Sequence, residues 1–349
     1  MATLDRFDIL SAALKSAFIT GFSGVVDPAP IEKGMQIMPS TARVEHMPWL
    51  SPTPAIARWL GHRRMPKIFN TLYRLENLAF DASFSISDDD VNDFQVEGWP
   101  RKAQELGKKA AIFPNRESLR MLNKAALQFP ATGPVASPAT DTTCWDGSQL
   151  FAPAAQPGAL PTGAQHLYGT SSAAPTGGTD GGNVINFQAQ TGTGTYKVVA
   201  VVTAAEYGIK PILWQNRMAA ELRTDAGTPQ ADFKRETAWW VTLRGAVGFA
   251  YWWDVILVNV TNLPTVQEAQ TIFGNVKSRF RTFGLPTVLA SDTIERVHEQ
   301  VTFTNKNLLL IVSTGLENIF DQVRTLSLIA NTENPFQNKF DLTASGFLD

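Results

Sequence analysis

The chain has 349 residues, enough to bury a large core and to form two domains. Charged residues make up only 18% and the net charge is −2, so no basic field attracts the whole chain to nucleic acid. Cys144 is the only cysteine, which excludes an internal disulfide. Neither an apolar run of membrane-spanning length nor a secretory leader is recognisable, so we expect a soluble protein made in the cytoplasm.

An amphipathic helix and a proline-rich arm are predicted for residues 1–54. The apolar side chains of the helix recur at three- and four-residue steps: Leu4, Phe7, Leu10, Leu14 and Phe18. Gly21 follows as the expected end signal. The arm holds six prolines and shows no period, and because proline removes a backbone donor we expect it to run extended. It is either a disordered leader or a segment that lies across other surfaces.

The stretch 59–127 is predicted to organise the chain, and its clearest feature is a strand with one apolar face. Apolar residues alternate with polar ones at Leu78, Phe80, Ala82, Phe84 and Ile86. A lone two-stranded ribbon is marginal in water, and no neighbouring segment offers an apolar sheet to cover it. Cover must come from a distant part of the fold or from another molecule. We expect another molecule, and burial of Phe80 and Phe84 within their own chain would contradict this.

Charged clusters lie at both ends of the ribbon. Three consecutive aspartates at one end could bind a divalent cation, but the spacing of a calcium-binding EF-hand is absent, so a helix start or a complement to a basic neighbour is the alternative. Opposite charges at an assembly contact would set its register. The residues predicted to make inter-subunit contacts are Leu78, Phe80, Phe84, Ile86, Arg63, Arg64, Asp88, Asp89 and Asp90.

Helical periodicity begins at Trp99, and Pro114 is expected to kink or restart the helix. A stretch rich in Gly, Ala and Pro follows, of a composition typical of flexible loops. Apolar, β-branched segments then predict strands at 197–202, 209–214, 239–243 and 249–260. Helices and strands alternate in residues 261–349, beginning with a capping box of Thr265 and Glu268, which predicts an α/β lobe.

The sequence offers no residues on which to base an enzyme. Cys144 with His166 would suggest a thiol nucleophile, but the spacing matches no local signature, and an isolated cysteine is usually a small hydrophobic residue. The histidines are unpatterned, and a Gly-rich phosphate loop, HExxH, GxSxG and CxxC are all absent. We therefore predict no catalytic residue, cofactor site or metal site.

The order of these elements resembles phage major capsid proteins of the Hong Kong 97 type, and in particular the Mu-like phage major head subunit family. The resemblance covers roughly residues 55–260. The segments that carry it are Trp59-Leu60-Gly61 with Arg63, residues 73–80, Ile86-Ser87, Gln104-Glu105-Leu106-Gly107, Cys144-Trp145-Asp146-Gly147 with Phe151, residues 210–215 with Arg217, and Gly248-Phe249 before Tyr251-Trp252. One departure is Ala152-Pro153, where the family tends to carry a charged stretch with His-Pro.

The resemblance implies an α+β Hong Kong 97-type major capsid fold. It divides the chain into an N-terminal helix and arm (1–54), an extended β-hairpin loop (55–97), the spine helix of a peripheral domain (98–130), a Gly/Pro/Ala-rich loop region (131–196), β-rich peripheral strands (197–260) and an α/β axial domain (261–349). In such a fold the hairpin loop would lie over a neighbouring subunit, and the arm would tie adjacent capsomers.

The function that this resemblance implies is that of a major capsid protein of a tailed bacteriophage or prophage. Copies would form hexamers and pentamers of an icosahedral shell around double-stranded DNA, without sequence-specific binding and without a membrane. Expected partners are a scaffold or protease, a portal and decoration proteins, and the expected location is the virion. A tail-tube or sheath protein is the alternative, followed by an α/β hydrolase-like enzyme.

Overall fold

The computed structural model describes residues 6–25, 31–47, 50, 73–87, 89–90, 98–128, 140–145, 149–151, 182–190, 192–203, 208–225, 236–281, 284–285, 295–296 and 307–349. The helices are α1 (Arg6–Ser23), α2 (Trp99–Leu127), α3 (Val266–Phe280) and α4 (Glu317–Thr325). The strands are β1 (Met35–Pro39), β2 (Val44–His46), β3 (Arg74–Glu76), β4 (Leu78–Ser87), β5 (Val184–Gln188), β6 (Thr195–Val202), β7 (Ile212–Thr224), β8 (Glu236–Phe249), β9 (Val255–Thr261), β10 (Gly284–Leu285), β11 (Glu295–Arg296), β12 (Leu308–Val312), β13 (Leu328–Ile329), β14 (Thr332–Glu333) and β15 (Asp341–Ala344).

Two mixed sheets form the framework of the molecule. The four-stranded sheet has the order β1-β7-β8-β4, with β1 parallel to β7 and the other pairs antiparallel. The five-stranded sheet has the order β15-β12-β6-β9-β5, with parallel pairs at both edges. One hydrophobic core contains residues from both sheets, so the two lobes are not independent. Together with the helices, these sheets make the fold α+β, as the sequence predicts.

The described part of the proline-rich arm packs on its own chain. Its strand β1 forms the parallel edge of the first sheet, and Ile31, Met35 and Met38 are buried there. Lys33 reaches the second sheet, where its ammonium lies 2.7 Å from the carboxylate of Asp341. The extended conformation predicted for the arm is correct at β1, where the arm lies across the first sheet of its own subunit.

The predicted ribbon differs from the observed pairing. The strand β4 pairs over all ten of its residues with β8, which lies about 150 to 170 positions later in the chain. The short antiparallel pair in this region is instead β2 with β3, which joins the two ends of the segment 47–73. Alternation identified β4 correctly as a strand, but it carries no information about a partner so distant in sequence.

The predicted division of the strands also differs from the observed sheets. The strands β6 and β9 were assigned to the span 197–260 with β7 and β8, yet they share the second sheet with β12 and β15 of the span 261–349. The strand β5 lies inside the predicted loop region 131–196. Local patterns find strands, but hydrogen bonds between strands decide which lobe each one joins.

The helices α3 and α4 cover the second sheet much as predicted. The capping box is present, because the Thr265 hydroxyl accepts from the Glu268 backbone N–H while the Glu268 carboxylate accepts from the Thr265 backbone N–H at 2.8 Å. The hydrogen bonds that the Glu268 carboxylate accepts from the backbone N–H groups of Thr265 and Gln190, and from the Thr265 hydroxyl, lower the pKa of Glu268. The buried side chains of α3 are Ala269, Ile272, Phe273, Val276 and Phe280.

The helices α1 and α2 cross at unusually short distance through two glycines. A Cβ at Gly107 would lie 2.3 Å from the Phe18 carbonyl oxygen, and a Cβ at Gly21 would lie 2.1 Å from the Gln104 carbonyl oxygen. Gly21 is therefore a contact residue inside α1, and the helix runs past the end predicted from the sequence. The helix α2 also continues through Pro114 without restarting. Its packing on α1 and on the first sheet offsets the hydrogen bond that proline removes.

Replacing Gly107 with alanine is expected to destabilise the subunit, although alanine is the better helix former by about 1 kcal/mol. The added methyl group would collide with backbone atoms of α1, and overpacking of this kind costs about 1–3 kcal/mol. Urea denaturation of the unassembled chain measures the loss. Gly98→Ala is the matched control, since a Cβ there meets nothing within 4 Å. Equal stability of wild type and Gly107→Ala would contradict the close crossing.

Candidate assembly surface

The apolar face of β4 is partly covered from within the same chain. The Phe84 ring stacks between Trp99 and Trp239, with centroid distances of 6.1 and 5.9 Å and interplanar angles of 12° and 15°. Phe80 packs 4.7 Å from Phe113 of α2. Ile86 is only 1% exposed. Cover for Phe84 and Ile86 therefore comes from α1, α2 and β8 of the same chain, contrary to the expectation that all of it comes from a second molecule, while Leu78 and Ala82 of this face stay exposed.

Other predicted contact residues have different surroundings. The Leu78 side chain is 54% exposed at the start of β4. Asp89 is exposed, and its backbone N–H donates to the Ser87 hydroxyl at 3.2 Å. Arg63, Arg64 and Asp88 lie outside the described residues. Among the described members of the predicted set, Leu78 and Asp89 are exposed and Asp90 is half-buried.

The free side of β4 is an edge with little protection. No described strand pairs there, and the ten-residue ladder with β8 contains no bulge. The strand contains no proline, and Asp81 is its only charged residue. Natural edge strands are usually blocked by charge, proline or bulges, because exposed backbone donors and acceptors recruit further strands. This edge with Leu78 is the candidate contact surface on the first sheet.

The pair of β2 with β3 forms a rigid base for the segment between them. One oxygen of the Glu45 carboxylate accepts from the backbone N–H groups of Thr41 and Ala42 and from the Ser40 hydroxyl, at 3.0–3.1 Å. These hydrogen bonds lower the pKa of Glu45. Across the pair, Arg43 lies 2.8 Å from Glu76. Both ends of the segment 47–73 are therefore held together, whatever its course.

A second exposed apolar feature is the hairpin of β13 and β14. Leu326 and Leu328 are 43% and 59% exposed beside it. Ala330 and Asn331 form its turn with φ of 50° and 62°, the left-handed conformation that two-residue hairpins require. Alanine rarely adopts this conformation, so the turn is a strained element on the surface of the second lobe.

The aromatic motifs noted in the sequence meet in the buried core. The Trp145 backbone N–H donates to the Ala250 carbonyl, and the Trp145 ring packs edge-on against Tyr251 and Trp253. Tyr251 and Trp253 stack with centroids 4.7 Å apart. These motifs hold the two segments together and do not line an accessible site. They determine the fold.

Tyr73 connects the base of the segment 47–73 to this core. Its hydroxyl accepts from the Phe249 backbone N–H at 3.0 Å, and burial raises the pKa of its phenol. Cys144 is fully buried in the same core, as expected of a small hydrophobic residue, while His166 lies outside the described residues. Within the described ranges, no group of three or more His, Cys, Asp or Glu residues is placed to hold a metal.

The helices described are also not long and apolar enough to cross a membrane.

The whole architecture has counterparts among solved structures. A procapsid subunit of bacteriophage JBD30 is 20% identical with a TM-score of 0.60, covering 97% of this chain and 99% of that chain. A capsid subunit of the same phage is 15% identical with a TM-score of 0.64, covering 93% and 92%. The fold is therefore that of phage major capsid proteins, the Hong Kong 97 type.

Sequence comparison places the chain within that class. Residues 7–272 match the family model of the Mu-like prophage major head subunit gpT, and the chain belongs to this family. It is also similar to the major capsid protein of Escherichia phage Mu, with 23% identity over 250 residues that cover 70% of this chain and 72% of that protein. The family is one of structural proteins, and this chain is a major capsid protein of a phage shell.

Phe84→Asp is expected to unfold the subunit more readily, by about 2–4 kcal/mol, since it removes a stacked ring and places a carboxylate between two tryptophans. Tryptophan fluorescence during urea unfolding measures the change. Ser83→Asp, exposed on the opposite face of the strand, is the control and should shift stability by no more than about 0.5 kcal/mol. A Phe84→Asp chain that unfolds like wild type would contradict the internal packing.

Proposed function

We propose that copies of this chain assemble into a closed icosahedral shell of hexamers and pentamers that encloses double-stranded DNA in the head of a tailed bacteriophage or prophage. The family match over residues 7–272 is the observation that carries this proposal. The chain would be made in the cytoplasm of the bacterial host and function in the virion. A scaffold or protease, a portal and decoration proteins are the expected partners, and neither a membrane nor a cofactor takes part.

The two sheets suggest how the expected domains are divided. The four-stranded sheet with α2 corresponds to a peripheral domain, and α2 to its spine helix. The five-stranded sheet with α3 and α4 corresponds to an axial domain, whose hairpin of β13 and β14 offers exposed leucines for contact with copies of itself. The segment 47–73, held at its base by β2 and β3, corresponds to the extended loop.

Subunit contact at the free edge of β4 is part of this proposal. Repeated interfaces of standard size bury on the order of 1,600 Å², and closed symmetry multiplies each of them. An unprotected edge strand with an exposed leucine can add backbone hydrogen bonds as well as apolar area to such a contact. Asp89, exposed just beyond β4, is placed to set the register of the contact through its charge.

Purified full-length chain, alone and with its scaffold partner, is expected to form closed particles. Light scattering would detect them and negative-stain electron microscopy would show their shape. Tubes or stacked rings would instead favour a tail protein. A strictly monomeric chain under all assembly conditions would contradict the proposal.

Leu78→Lys is expected to reduce particle yield by at least about tenfold, because a charge desolvated at a subunit contact costs several kcal/mol. Subunit stability should change little, since the side chain is largely exposed. Leu127→Lys is a close control, because Leu127 has the same exposed fraction of 54% and lies on another surface. Normal assembly of Leu78→Lys, or equal loss in both variants, would rule out the β4 edge as a specific contact.

A further inference from the structure

The long helix α2 carries a concentration of positive charge that the chain as a whole lacks. It contains seven Lys or Arg residues and two Glu, a net charge of +5, whereas the net charge of the chain is −2. The two glutamates are each paired within the helix, Glu105 with Lys109 at 2.7 Å and Glu117 with Arg120 at 2.6 Å. The helix therefore has an excess of cations that its own acids do not neutralise.

These cations lie on the sides of the helix that do not face α1, but they are not one continuous exposed face, because Ile112, one turn from both Lys108 and Arg116, is buried. Ala103, Gly107 and Ala110 are buried on the opposite face, towards α1. Arg101, Lys108 and Arg116 follow one another at steps of seven and eight residues, close to two helical turns each, and all three are exposed. With a rise of 1.5 Å per residue they span about 23 Å. Together with Lys109, Arg120 and Lys124 they are called the basic stripe.

Three members of the basic stripe have no ion pair in the described part of the chain: Arg101, Lys108 and Arg116. Lys124 has an acid from outside the helix, Asp141. Neighbouring cations on a helix repel one another, and Glu105, the described acid that interacts electrostatically with Lys108, is already paired with Lys109. A compact anion could reach only one or two of them, whereas a rod-shaped polyanion lying along the helix could reach all.

The composition of the stripe favours nucleic acid over a protein as that polyanion. Protein interfaces have an apolar centre and are depleted in lysine. Within the described residues of α2, Leu127 at the far end is the only exposed large hydrophobic side chain, and no apolar centre interrupts the cations. Protein–DNA interfaces are polar and strongly positive, and their affinity comes largely from phosphate contacts.

We propose that the basic stripe of α2 binds the phosphate backbone of double-stranded DNA enclosed by the shell. This inference rests on the proposed function, and it assigns the exposed face of α2 to the inner surface of the particle. These contacts are electrostatic. They are independent of base sequence, because the cations would contact phosphate oxygens and not the base edges in a groove. The low net charge of the whole chain then restricts DNA contact to this face.

The test uses the full-length chain at a concentration where light scattering detects no particles. Anisotropy of a short fluorescent DNA duplex gives Kd between about 50 and 200 mM salt. Neutralising three cations (Arg101→Gln, Lys108→Gln and Arg116→Gln together) should reduce the slope of log K against log salt by about 2.7, since each phosphate contact contributes about 0.9. Particle yield, measured separately by electron microscopy, should stay at the wild-type level.

Matched variants distinguish an effect of the basic stripe on DNA binding from an effect of net charge or of misfolding. Neutralising Arg74, Arg244 and Arg281, which are exposed elsewhere, changes the net charge equally and should leave the slope unchanged. Arg101→Lys with Arg116→Lys keeps the charges and should bind as wild type does. Absence of duplex binding by wild type, an unchanged slope in the triple Gln variant, or equal loss in the control would each overturn the proposal. So would normal duplex binding with lost assembly, which would make the stripe a protein contact.

Discussion

The backbone ladder between β4 and β8 is the interaction on which the rest of the structure depends. It brings two segments about 150 to 170 residues apart into register over ten positions, and so builds the face on which α1 and α2 pack. Phe84, between Trp99 and Trp239, links that ladder to the start of α2. The ladder thereby supports the cluster formed by α1, the first half of α2 and the end of β4.

The segments that carry the family resemblance contribute to packing in the core and do not form a site for chemistry. The turn at Trp145 meets the Tyr251–Trp253 run, and Tyr73 holds the strand end at Phe249 by a single buried hydrogen bond. Aromatic side chains of this size bury large areas in specific geometries, so they specify the join between the two sheets. Trp145, Tyr251 and Trp253 are almost fully buried in this join.

Contacts between copies would therefore use surfaces that remain exposed in the folded subunit. The subunit covers the Phe84 and Ile86 end of its apolar strand face and leaves Leu78 exposed. What remains for contact is the edge of β4, the exposed leucines near β13 and β14, and the charge on α2. Cover of Phe84 within the subunit differs from the expectation drawn from the strand alone, whereas the family assignment is confirmed because its motifs are spread over much of the chain.

The sequence by itself determined elements whose signal is local. Alternation identified β4, a capping box marked α3 at Thr265, and spaced aromatic motifs identified the family, because each depends on residues a few positions apart. Only the tertiary structure decided what covers Phe80 and Phe84, why Gly21 belongs inside α1, and which sheet receives β6 and β9. Those outcomes depend on contacts between residues far apart in the chain, and periodicity does not encode which distant surfaces will meet.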